Sequence, residues 1–212
     1  MRIDRRISYK IVLDTETCPL DRDFEGVCPS NMWVYDLSWV VTDKRGNIYE
    51  ERSFVNADIF LGERELMKSA YYAKKIPEYW DRIKKGEMVL TSLYNIRKVF
   101  LADVELYNIS KVYAYNMRFD YGTLNNTQSW ETKSKFRYFF PYGIEICDTL
   151  KMGYGLLCNH KNCFMNGMIS EEKQPRMYAR MIKTKLIDGL KTDLKINAPV
   201  YDIEFELIKE QL

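Results

Sequence analysis

Apolar residues at Tyr9, Ile11, Val12 and Leu13 form a nearly unbroken run that ends at two acids, Asp14 and Glu16. A short continuous run of this kind predicts a buried strand over Ser8–Asp14. Cys18–Asn31 holds two prolines, a glycine and several acids and reads as a loop. Met32–Thr42 and Asn47–Val55 are aromatic and β-branched, with the turn cluster DKRGN between them, which predicts a hairpin. The period then changes. Asp58–Ala73 and Glu78–Lys85 carry helical spacing, broken at Pro77. Over Ser92–Asn108 apolar residues recur at Leu93, Ile96, Val99, Phe100 and Val104, a helical stripe that Thr91 or Ser92 can cap. KVYAY at Lys111–Tyr115 predicts a short strand, Asp120–Asn126 opens another helix, and Gly143–Cys147 predicts another strand. Asp148–Leu156 starts a helix with Asp148 near its N-cap, and Cys158–Gln174 is irregular. Met177–Leu190 and Asp202–Leu212 read as helices.

Three strands in a meander, then helices alternating with two more strands, predict an α/β fold. The expected architecture is a mixed five-stranded sheet flanked by helices, in one domain over residues 1–212.

Composition narrows the partners. With 46% hydrophobic and 29% charged residues the chain can build a core and is not disordered in character. A formal net charge of +2 gives no overall basic field, so any nucleic-acid surface must be local. The charged start MRIDRRISYK does not read as a signal peptide, and no apolar run approaches the roughly 20 residues of a membrane span. The five cysteines, Cys18, Cys28, Cys147, Cys158 and Cys163, are an odd count, which favours reduced thiols and a cytoplasmic location.

The acids carry the candidate chemistry. Asp14 and Glu16 are two apart on a strand, so both point to one side. Asp120 follows the strand that ends at Tyr115, beside a helix start. If the first and fourth strands are neighbours, Asp120 meets Asp14 and Glu16. Carboxylates crowded in this way are tolerable around divalent cations, and hard oxygen donors suit magnesium or manganese. Two such ions, about 3.5–4 Å apart, clamp the attacking and leaving oxygens of a phosphodiester.

DTET at Asp14–Thr17 and AYNMRFD at Ala114–Asp120 resemble the first two motifs of the DEDD 3′–5′ exonucleases. That superfamily includes proofreading subunits and has a ribonuclease-H-like fold. EICDTL at Glu145–Leu150 also resembles the family, where the D-T-L segment is structural. The last forty or so residues, with PRMYA at Pro175–Ala179, look like viral members. The resemblance implies a fourth acid near the C-terminus, matched best by Asp202, and two Mg²⁺ or Mn²⁺ ions held by Asp14, Glu16, Asp120 and Asp202. It implies that Thr15 and Thr17 contact the 3′ end of single-stranded DNA or RNA. Asn116 would hold the second-motif loop, and Phe119 would pack behind the site or against the sugar. Read as plain structure, Asn116 caps a turn and Phe119 is core.

One position departs from the pattern. Five residues before Asp202 the family has histidine, and this chain has Asn197; four before, where another branch has tyrosine, stands Ala198. An asparagine can orient a water but cannot take its proton. Three explanations stay open: metal ionisation of the water suffices, His160 or Tyr201 stands in, or the protein binds without turnover. In the last case it would hold a nucleic-acid end or a protein partner. A ribonuclease-H-like endonuclease is a further reading.

Two segments mix basic and aromatic residues, Trp130–Phe140 and Arg176–Lys185, and read either as base-stacking surfaces or as solvated faces with buried aromatics. CNHKNC at Cys158–Cys163 suggests zinc or a loop with incidental thiols, the loop fitting better for want of a fourth ligand at a known spacing.

Overall fold

The structure is a computed structural model. It describes residues 3–20, 29–70, 72–134 and 137–149, together with the backbone of 164–165 and 168–169. The helices expected at Met177–Leu190 and Asp202–Leu212 lie outside the described residues, as do Asn197, Tyr201 and His160.

Six strands make the main sheet: β1 (Lys10–Pro19), β2 (Met32–Thr42), β3 (Ile48–Asn56), β4 (Val89–Thr91), β5 (Lys111–Ala114) and β6 (Glu145–Asp148). Their order is β4-β3-β2-β1-β5-β6. β2 runs antiparallel to both β1 and β3, while β1, β5 and β6 are mutually parallel. This is a ribonuclease-H-like topology, and β1 and β5 are neighbours. The five expected strands are present. The sixth, β4, pairs parallel with β3 through Phe54↔Val89 and Val55↔Leu90.

β1 is longer than its apolar run. It continues through Asp14 and Glu16 to Pro19, because β2 supplies partners along the whole length. The β2–β3 turn is built on Asp43, whose carboxylate accepts from the amides of Arg45 (2.7 Å) and Asn47 (3.1 Å), with Gly46 at φ 77°.

The helices are α1 (Ala57–Phe60), α2 (Arg64–Met67), α3 (Ile76–Lys84), α4 (Leu93–Leu106) and α5 (Met117–Thr132). The long helix expected over Asp58–Ala73 is therefore two short ones and a 3₁₀ turn. Pro77 does not break a helix but opens one: it sits in the first turn of α3, where its missing N–H leaves no bond unmade. Ser92 caps α4, its hydroxyl accepting from the Asn95 amide. Cys158–Gln174, expected to be irregular, contains two short antiparallel strands, β7 (Phe164–Met165) and β8 (Met168–Ile169).

Alternation along the strands divides the core. Ile11, Leu13, Leu37 and Trp39 pack on one sheet face against Ile96 and Phe100 of α4 and Leu124 of α5. Cys18, Trp33, Tyr35 and Val55 pack with Ile59, Phe60 and Tyr79. α5 lies close to the chain at Pro29–Asn31 because Gly122 has no Cβ: one built there would stand 2.6 Å from the Pro29 Cβ. Among the described cysteines, Cys18 and Cys147 are unbridged, and burial pushes the Cys18 thiol up to about 12. No described helix is long and apolar enough to cross a membrane.

Candidate functional site

β1, β5 and β6 run parallel, and Asp14 of β1 lies just past the level at which β5 and β6 end at Ala114 and Asp148, while β1 itself continues to Pro19. In open α/β sheets, ligands bind in the crevice outside the carboxyl ends of parallel strands. Asp14 and Glu16 belong to β1 there, Asp148 is the last residue of β6, and Asp120 lies in the first turn of the helix that follows β5.

Cross-strand pairing fixes which side each β1 side chain takes. Asp14 pairs with Ser38 and Glu16 with Asp36, so these four share one face. Thr15 pairs with Leu37 and turns to the opposite face, where α5 packs. α5 begins at Asn116, which adopts the left-handed conformation (φ 56°, ψ 45°) and makes no side-chain cap bond. The Asn116 carbonyl instead accepts from the Phe119 amide at 2.7 Å. This entry drives Asp120 inward to 3% exposure, where the Thr15 hydroxyl donates to its carboxylate at 2.6 Å. Thr123 donates back to the carbonyls of Phe119 and Asp120 and ties down the same turn.

The electrostatics of this corner are unfavourable as it stands. The Asp120 carboxyl is held well above the usual range, first by burial and then by the charge of Asp14. The Thr15 hydrogen bond opposes the shift, and Asp148 adds to it. Asp14, Asp120 and Asp148 thus lie close enough to repel. A carboxylate in such surroundings gains from a cation, and an all-oxygen, all-carboxylate donor set is the chemistry of Mg²⁺ or Mn²⁺. The fit is one of donor type: among the described residues alone, no group of three or more His, Cys, Asp or Glu is arranged to hold a metal. Asp202, the fourth expected acid, lies outside the described residues.

Asp36 was not singled out in the sequence. A β-bulge shifts the register between Glu16 and Thr17, leaving Tyr35 without a β1 partner beside Asp36. Both then meet Tyr79 of α3: the Tyr35 and Tyr79 ring centroids are 5.7 Å apart, and the Tyr79 hydroxyl donates to Asp36 at 2.7 Å. Burial raises the Asp36 carboxyl to about 6 against the pull of that hydrogen bond. The charge of Glu16 reaches both tyrosines and helps push their phenols up. A cavity of ≈ 320 Å³ opens on this face, with Asp14, Ser38, Glu51 and Arg82 in its wall.

The remaining candidates are dispersed in character. Thr17 is half-buried and pairs with Val34, Asn116 is exposed, and Phe119 is half-buried. Asp148, read from sequence as a helix N-cap and structural, ends β6 opposite Ala114 and directly precedes the helical Thr149; the rest of the helix expected over Asp148–Leu156 lies outside the described residues.

No known family model matches the chain, and neither does any curated protein.

Proposed function

We propose that the protein is a metal-dependent 3′–5′ exonuclease acting on single-stranded nucleic-acid ends. One observation carries the reading: Asp120, 105 positions distant, is bonded to Thr15 and feels the charge of the adjacent Asp14, while Glu16 projects beside Asp36 on the other face of β1. Asp14, Glu16 and Asp120 would hold the cations together with Asp202. Bound divalent ions would supply an ionised water and charge stabilisation for the leaving oxygen. Thr15 fixes the Asp120 carboxylate, and the exposed Asn116 backbone turn sets the start of α5 beside it. Tyr79, through Asp36, braces the face from which Glu16 projects. No histidine or tyrosine occupies the position of the usual base, so turnover is slow.

The test is a timed digestion of 3′- and 5′-labelled oligonucleotides with magnesium or manganese. Shortening from the 3′ end is expected; intact substrate at high enzyme concentration removes the proposal.

Asn197 favours a second reading, a protein of this fold that holds a nucleic-acid end or a partner without cutting. General-base help is worth roughly 10²–10⁴-fold. A gain of that order in Asn197→His supports an enzyme weakened at one residue, and no gain in a protein that still binds strands favours the second reading.

A further inference from the structure

A second cavity, ≈ 500 Å³, lies between α4 and the segment after α5. Tyr94, Arg97 and Lys98 line it from α4, and Arg137, Tyr138 and Tyr142 from the other side. Gln128 and Thr132 of α5 also line it, with Leu101, Phe140 and Pro141 as its apolar part. None of the described lining residues is acidic. Among the described residues, no carboxylate pairs with Arg97, Lys98 or Arg137. Arg97 is held below its ordinary pKa by burial and by the charge of Arg137, so the two guanidiniums are near enough to repel.

The tyrosines are equally unusual. Tyr94 is 73% exposed, Tyr138 55% and Tyr142 fully exposed, so three large rings stand in solvent around one concavity. They are not on a loose loop. Arg97 donates to the carbonyls of Tyr138 (3.2 Å) and Phe139 (2.9 Å), and Asn125 of α5 accepts from the Phe139 amide at 2.8 Å. Gly143, at φ 87°, turns the chain directly after Tyr142. The backbone that carries Tyr138 and Tyr142, and the Arg97 guanidinium bonded to it, are therefore held in place before any ligand arrives.

Cations without a carboxylate partner among the described residues, beside exposed rings on a fixed backbone, match one ligand chemistry, a phosphate joined to a flat aromatic base. We propose that this cavity binds nucleotide units of a single strand, with Lys98 and Arg137 on phosphates and Tyr94 and Tyr142 stacked on bases. The strand as the source of those units rests on the exonuclease reading. A surface connects the two places: Tyr121, the neighbour of Asp120 in α5, stacks on Phe140 at 5.4 Å and 16°, and Phe140 lines the cavity. Gln128 lies eight residues beyond Asp120 in the same helix, about 12 Å along its axis. A strand whose end lies at Asp120 would meet the cavity a few nucleotides back.

The experiment measures binding of fluorescent dT12 and rU12 to the full chain in EDTA, where no cleavage occurs, across a salt series. Lys98→Glu with Arg137→Glu should weaken binding at least 10-fold and reduce the salt slope by about 1.4, since each phosphate contact on a single strand contributes about 0.7. Tyr94→Ala and Tyr142→Ala should each weaken it about 5- to 100-fold. Tyr142 is fully exposed, so its replacement leaves the fold intact and the test valid even if the double variant unfolds. Binding within twofold of the parent in all variants overturns the proposal, as does a parent that binds neither strand. Competition by dTMP separates the sources: displacement at micromolar concentration, lost in the same variants, identifies a free nucleotide as the occupant, and displacement only at millimolar concentration identifies the strand. Digestion with magnesium, run in parallel, separates the two proposals. Cleavage with unchanged variant binding removes the cavity alone, and weakened binding without cleavage in the parent removes the exonuclease alone.

Discussion

Asp103 on α4 and Asp120 on α5 are both buried, at 2% and 3% exposure, and their surroundings are opposite. Asp103 accepts from the Trp39 indole at 3.0 Å and from two nitrogens of Arg52 at 3.2 and 3.3 Å. Its charge is matched by a guanidinium and solvated by an indole N–H, so it fastens α4 to β2 and β3. Asp120 has a neutral hydroxyl as its side-chain donor and faces the charges of Asp14 and Asp148. Burial alone does not make an acid a candidate for function; like charges around it, in place of a matched cation, do. A carboxylate buried among acids lowers the stability of the fold at neutral pH, and a cation at that corner would offset the loss.

The largest expected contrast comes from Asp120→Asn, which keeps an acceptor for Thr15 and removes a charge. Cleavage should fall by about 10³-fold or more, the effect of several kcal/mol of lost transition-state stabilisation. Stability in EDTA should rise, because a raised folded-state pKa means that ionisation above the ordinary carboxylate range destabilises the native state. Oligonucleotide digestion and urea titration on one preparation read both. Normal cleavage in the variant would erase the distinction drawn here.

Asp103→Ala should do the reverse. Arg52 keeps 34% of its side chain exposed, so the loss is chiefly that of the charged hydrogen bonds and of the acceptor for the Trp39 indole, about 2–3 kcal/mol, and for a chain of this size the melting midpoint should drop by roughly 4–12 °C. Cleavage per folded molecule should stay within about twofold. A calorimetric shift below about 2 °C would mean that the Arg52 and Trp39 contacts contribute little.

A smaller effect sharpens the same point at Asp36. Its folded-state pKa is raised to about 6, so the contribution of its proton is complete below about 4 and is lost as pH climbs through 6. Asp36→Asn has no charge to gain. Its stability relative to the unmodified protein should improve between pH 4 and pH 7 by on the order of 2 kcal/mol, measured by urea unfolding at each pH. A constant difference across that window would show that Asp36 is not perturbed.

Much of the frame can be read locally. The β2–β3 hairpin follows from alternation and DKRGN, and α4 from a 3.6-residue stripe with Ser92 before it. Other elements cannot be. β4 has three residues, too few to show a period, and forms because β3 offers a free edge. α5 begins at Met117, one turn before the Asp120–Asn126 segment expected to open it, and runs to Thr132; its extent is hard to read because much of its packing is polar. Thr127 accepts from the Val34 amide and Asn126 donates to the carbonyls of Ser30 and Met32. Hydrophobic periodicity does not register such contacts.

The sequence by itself determined that a buried strand carries Asp14 and Glu16, that both acids lie on one side, and the α/β order, since each depends on neighbours within a few positions; that β1 continues past the acids to Pro19 was decided by pairing with β2. Only the tertiary structure decided that Thr15 grips Asp120, that a bulge turns Asp36 toward Tyr79, and that Tyr94 and Lys98 of α4 face Arg137 and Tyr142 across one cavity. These are contacts between segments far apart in the chain. Their charge balance is set by which side chains converge in space, and no local pattern encodes that.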